Sequence, residues 1–222
     1  MGIRAGNRLY AATNDLPDTI PVFPLSGALL LPNGQMPLNI FEPRYLEMID
    51  HAMAGERLIG MIQPKLNCSA ATPVSDLCSV GCMGRITQYA ETGDDRYIVT
   101  LSGICRYRIV DEVASNTAFR QCRISFDDFG SDLDPRCGND EIDRDKLICA
   151  FRNYLDANGM EADWESVRQA SNCGLLTALA MMSPWGPAEK QALLEAPDQR
   201  SRAETLIAMT EIALAGDGAT LQ

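Results

Sequence analysis

Few residues in this chain are suited to do chemistry, and their spacing serves it poorly. The eight cysteines fall at positions 68, 78, 82, 105, 122, 137, 149 and 173. Cys78 and Cys82 stand four apart with Cys68 ten residues earlier, the nearest approach to a metal cluster. A structural zinc site shows paired short spacings and often histidine. The single histidine is His51. The pattern predicts reduced, buried or idle thiols and no bound metal. His51 follows Asp50 on an amphipathic stretch, which reads as a structural or solvent-facing position rather than a base activating a thiol. A serine–lysine dyad needs a lysine in a desolvated pocket. The lysines are Lys65, in a polar loop, Lys146, in an acidic stretch, and Lys190, next to Glu189; none has such surroundings. The phosphate loop G-x-x-x-x-G-K-[ST] and the motifs G-x-G-x-x-G, G-x-S-x-G and H-E-x-x-H are all absent. Neither an ATPase nor a hydrolase is legible, so no catalytic, metal or cofactor-binding residue is assigned.

Two other groups invite a binding role. Arg106 and Arg108 alternate along a strand and project from one face, with Arg120 and Arg123 in the next strand region. They read as a solvated face paired with nearby acids, or as a small anion site. Leu29-Leu30-Leu31 lies beside a turn, where three leucines compete for cover, and exposed apolar patches mark interaction surfaces. Phe41-Glu42-Pro43-Arg44-Tyr45 reads as a strand-to-helix corner, with Pro43 in the first helical turn and Glu42 at its positive end. The expected polypeptide-binding surface comprises Leu29, Leu30, Leu31, Met36 and Phe41.

These residues must be positioned by a mixed architecture. Residues 20–25 alternate proline and apolar side chains, an edge-strand signature. Ala28 to Leu31 is a short apolar run closed by Pro32-Asn33-Gly34, a turn signal. Met36 to Phe41 follows as a strand. Tyr45, Leu46, Ile49 and Met53 repeat at helical spacing until Gly55. Strands are expected at Leu58 to Ile62, Val80 to Tyr89, Arg96 to Ser102, Cys105 to Val113 and Phe119 to Phe126, with Gly103 breaking one pair. This series suggests a barrel or curled sheet with one early helix. From Lys65 to Ser79 the chain reads as a long loop. Acidic clustering with Gly130, Pro135 and Gly138 reads as a linker. Beyond it the pattern is helical: one stripe runs through Leu147, Ile148, Phe151, Tyr154 and Leu155. Others span Val167 to Met182 and Pro187 to Leu194, and Asp198 caps a last helix. The expected organisation is a flexible tail (1–17), a β domain (18–126), an acidic linker (127–140), a helical domain (141–215) and a C-terminal tail (216–222).

Composition bounds the role. The chain has 222 residues, 46% of them hydrophobic, enough for a real core. The net charge of -11 argues against nucleic acid and anionic membranes as partners. No apolar run suits a spanning helix or a signal peptide, which fits a cytoplasmic protein.

The block from Ile20 to Ala54, the stretch Gly81-Cys82-Met83-Gly84-Arg85-Ile86 with the run Tyr97 to Val110, and Pro187-Ala188-Glu189-Lys190-Gln191-Ala192-Leu193-Leu194-Glu195 occur in an order that resembles the N-terminal, substrate-binding domain of Lon proteases, above all stand-alone bacterial proteins of that domain. The resemblance implies an α+β fold: a PUA-like β-barrel with an inserted helix, then a C-terminal α-helical bundle. It also implies a non-catalytic module, since the nucleotide-hydrolysing and Ser–Lys peptidase parts of full Lon proteases have no counterpart here. The partners implied are unfolded or exposed apolar polypeptide segments and a AAA+ protease, with no cofactor. Three other readings stand beside it: a module binding a small-molecule effector, an RNA binder, which the net charge opposes, and a cysteine hydrolase.

Overall fold

The computed structural model describes residues 2–65, 77–134, 136 and 138–219. It falls into two compact units, Met1–Pro135 and Arg136–Gln222. Among the described residues the first is built of β-structure with one α-helix, and the second of helices alone. This is the α+β order expected.

The first unit opens with a hairpin of β1 (Ile3–Ala5) and β2 (Arg8–Tyr10), paired antiparallel. The sequence reading makes these residues a flexible tail. The structure corrects it: Ile3, Ala5 and Tyr10 are almost wholly buried, and the reversal at Gly6 uses a positive φ of 59°. The sheet proper contains β3 (Thr19–Pro24), β4 (Gln35–Ile40), β5 (Leu58–Ile62), β6 (Val80–Glu91), β7 (Tyr97–Val113) and β8 (Arg120–Ser125). Strands β7, β6, β5, β3 and β8 pair in that order, and β8 pairs back onto β7, closing a ring. The β3–β5 pair is parallel and the others are antiparallel. Helix α1 (Pro43–Ala54) is the inserted helix, buried through Tyr45, Met48, Ile49 and Ala52.

Gly103 does not break a strand. β7 runs through it for 17 residues, first along β4 and β6 and then along β8. The glycine serves a close approach instead. A Cβ on Gly103 would sit 2.0 Å from the Leu31 carbonyl oxygen, and one on Gly84, its cross-strand partner, 2.8 Å from a Leu30 methyl. Leu29, Leu30 and Leu31 thread over this bare patch and are 2%, 1% and 1% exposed. Tyr107 fills the ring interior, and its hydroxyl donates to the Met61 carbonyl at 3.2 Å.

The acidic linker expected over 127–140 is also revised. A 3-10 turn, Gly130–Leu133, carries buried Leu133 and Asp132, and Phe129 before it is buried too. The segment belongs to the first unit because Asp132 is tied to Arg106. Asp132 Oδ2 accepts from Arg106 Nε at 2.8 Å and from the Arg106 backbone N–H at 3.0 Å, and Oδ1 accepts from Nη2 at 2.9 Å. The division between the units falls after Pro135. The loop expected over 65–79 lies mostly outside the described residues, as do Cys68, Cys137 and the tail from 220 onward.

The second unit has α2 (Arg144–Ala157), α3 (Trp164–Gln169), α4 (Asn172–Met182), α5 (Pro187–Glu195) and α6 (Gln199–Ala219). The stripe expected over 167–182 is two helices. Ser171 caps the second, its hydroxyl accepting from the Gly174 N–H at 3.1 Å. Asp198 caps α6 as expected, accepting from the Ser201 N–H at 2.7 Å.

Candidate functional site

The strands β4, β7 and β6 form one three-stranded surface whose two faces differ. Alternate side chains of a strand point to opposite faces. On β7, Val99 and Leu101 are fully buried while Ile98 is 49% exposed, so Ile98, Thr100 and Ser102 face outward. Register carries this face sideways. Ile98 stands between Asn39 and Ala90, Thr100 between Pro37 and Gln88, and Ser102 between Gln35 and Arg85. Hydrogen bonds confirm the alignment: the Thr100 hydroxyl donates to Gln88 Oε1 at 3.0 Å, and the Thr87 and Ser102 hydroxyls bond at 2.9 Å.

Phe41 continues the outward row of β4 and is 60% exposed, the Arg96 guanidinium lying 5.8 Å from its ring centroid. Phe41 and Ile98, diagonal neighbours across Asn39 with Ala90 beyond Ile98, thus leave a short apolar strip on an otherwise polar face. The strip lies at a sheet margin, since among the described residues β4 pairs with β7 alone. Pro37 lacks an N–H, which removes a donor from that edge and blunts indiscriminate strand pairing.

The sequence-derived surface divides accordingly. Phe41 stands on the outward strip and Met36 is half-buried on β4. Leu29, Leu30 and Leu31 are core and are not available as a surface, because the glycines at 84 and 103 let them sink. Ile98 was not among the expected residues, yet it is the second large apolar side chain of the strip; its alternation with buried Val99 and Leu101 is the signal that finds it.

The other candidates are placed as follows. Arg108 pairs with Asp128 and Arg120 with Glu112, both with distances under 3 Å, and Arg123 pairs with Asp111. Arg106 departs from the solvated face expected: it is 2% exposed, bound to Asp132 and stacked on Phe129 at 4.7 Å. The cation is compensated on every side named, which leaves no anion site there. His51 is exposed on α1 with its ring 5.3 Å from Phe119. Burial, with Asp132 adding to it, pushes the Cys105 thiol far up, and burial raises Cys122 to about 11. Both are poor nucleophiles at neutral pH. Lys146 is exposed and paired with Asp143 at 3.2 Å. Among the described residues no three His, Cys, Asp or Glu side chains gather as metal ligands, and Cys68 lies outside them. No helix among them is long and apolar enough to cross a membrane.

Comparison with known proteins bears on the same region. The model of the ATP-dependent protease La (LON) substrate-binding domain matches residues 19–211. Lon protease 2 of Myxococcus xanthus is 24% identical over 200 residues, covering 87% of this chain and 23% of that protein. Lon protease of Desulfosudis oleivorans is 34% identical over 97 residues, 43% of this chain and 12% of its own length. The chain therefore spans a quarter or less of these relatives. Among solved structures, the Lon N-terminal domain protein from Xanthomonas campestris matches with a TM-score of 0.58 at 20% identity, over 86% of this chain and 97% of its own. The N-terminal domain of Mycobacterium avium complex Lon protease matches with a TM-score of 0.60 at 20% identity, over 87% and 98%. Both likenesses concern the fold.

Proposed function

We propose a function from one premise: this chain belongs to the ATP-dependent protease La (LON) substrate-binding domain family. It is a polypeptide-binding module that holds unfolded or exposed apolar segments and performs no chemistry on them. The observation that carries this reading is the outward strip of Phe41 and Ile98 at the open margin of β4. An extended segment lies across that face with its apolar side chains against the two apolar residues. Contact of this kind is weak for any one segment and tolerant of sequence, as a client-holding module requires. Presenting held segments to a AAA+ protease, as an adaptor in the cytoplasm, is the role that fits the Lon kinship.

The test is fluorescence anisotropy with a fluorescein-labelled, reduced and carbamidomethylated α-lactalbumin, which stays unfolded. The wild-type chain binds it, and Phe41→Asp with Ile98→Asp weakens binding by about tenfold or more, since each change sets a charge where apolar contact formed. Equal binding by both chains excludes this face as the site.

A further inference from the structure

The N-terminal hairpin lies on the same outward face as the apolar strip. β1 rests against β7, and the Ala5 carbonyl accepts from Arg85 Nη1 at 3.3 Å. A Cβ at Gly6 would meet Arg85 Nη1 at 3.1 Å and a Thr87 methyl at 3.5 Å. Arg85 and Thr87 are outward residues of β6, beside Ser102 of β7. The hairpin therefore covers the Arg85–Ser102 end of the face and leaves the Ile98–Phe41 end open. It also precedes the family match, which begins at residue 19. We infer that β1–β2 is a tethered occupant of the polypeptide-binding face, displaced when an unfolded segment binds. This rests on the function proposed above.

Three observations support it. The hairpin is itself a short extended segment with apolar side chains at intervals, Ile3, Ala5 and Tyr10 being at most 1% exposed; the face thus already accommodates polypeptide of that kind. Its hold is incomplete. Its outer tie, Arg8 to Glu56 at 3.3 Å, joins two half-exposed side chains, which adds little. A two-stranded hairpin of three-residue strands has no independent stability, so its docked population depends on what it packs against.

Hydrogen exchange of the wild-type full chain, with and without saturating unfolded α-lactalbumin, tests the inference. Protection of the amides in residues 3–10 is expected to fall by about tenfold or more on binding, with β6 and β7 staying protected. Binding with protection of residues 3–10 unchanged overturns the inference and leaves the proposed function standing. No binding at all overturns the proposed function, and the inference falls with it. A second arm uses Ile3→Asp with Tyr10→Asp, which puts carboxylates at buried positions and releases the hairpin. Its dissociation constant for the probe is expected to be about tenfold tighter, because the Arg85–Ser102 end that the hairpin covers becomes available beside the open Ile98–Phe41 end. An unchanged constant with residues 3–10 unprotected overturns the inference.

Discussion

Asp132 shows how much one buried side chain determines. With its partner Arg106 it is nearly sealed from water, and each charge is tolerable only because the other is present. Asp132→Ala strands the guanidinium, and urea unfolding should show a loss of about 3–5 kcal/mol. Replacing both residues, Arg106→Met with Asp132→Leu, should lose much less, because no uncompensated charge remains. A double substitution as damaging as the single one would contradict this account of the pair. The thiols give a second residue-scale outcome. Cys149 is exposed while Cys82, Cys105 and Cys122 are buried, and burial pushes Cys122 up to about 11. Iodoacetamide at neutral pH should therefore label Cys149 well before those three in the folded chain, read by peptide mass spectrometry. Rapid labelling of Cys105 would instead mark a reactive centre.

At the level of elements, α2, α3 and α6 of the second unit begin on aspartates. Asp143 accepts from the Lys146 N–H, Asp163 from the Glu165 and Ser166 N–H groups, and Asp198 from the Ser201 N–H. Hydrogen bonds to the helix N-terminus hold the Asp143 and Asp198 carboxyls below their ordinary value, and the Ser166 side chain and backbone do so for Asp163. A carboxyl whose folded pKa is depressed contributes stability above the unfolded value of about 3.9 and loses it as pH falls through the folded value. Acid titration followed by circular dichroism should show helix lost below about pH 4. Asp198→Asn, which caps without titrating, should retain more of α6 there than the wild type. Capping was readable at Asp198 because cap, spacing and apolar stripe are all local. So was the Phe41–Pro43 corner. What lay beyond the sequence was non-local. Gly103 looks like a strand break until Leu31, some seventy residues earlier in the chain, is seen against it. The hairpin's Ile3, Ala5 and Tyr10 look too sparse to fold until the face of β6 and β7 is in place to cover them. Leu29 to Leu31 look like excess hydrophobicity for the same reason, and Ile98 does not stand out because only the pleat separates it from buried Val99.

For the molecule as a whole, the net charge of -11 and the apolar strip pull in different directions. If the strip holds clients, binding should survive added salt, since screening weakens only the charge terms. Binding that collapses at high salt would point to a charge-led partner instead. The surface substitutions at Phe41 and Ile98 should leave unfolding free energy within about 0.5 kcal/mol per site, which separates lost binding from lost folding. The most direct measurement places a photoactivatable phenylalanine analogue at position 41 in one chain and at the exposed Val110 of β7 in another, outside the apolar strip, then irradiates each with unfolded α-lactalbumin. The account predicts abundant cross-links from position 41 and few from position 110. Equal yields from the two positions, or none from 41 while the probe binds, would contradict it.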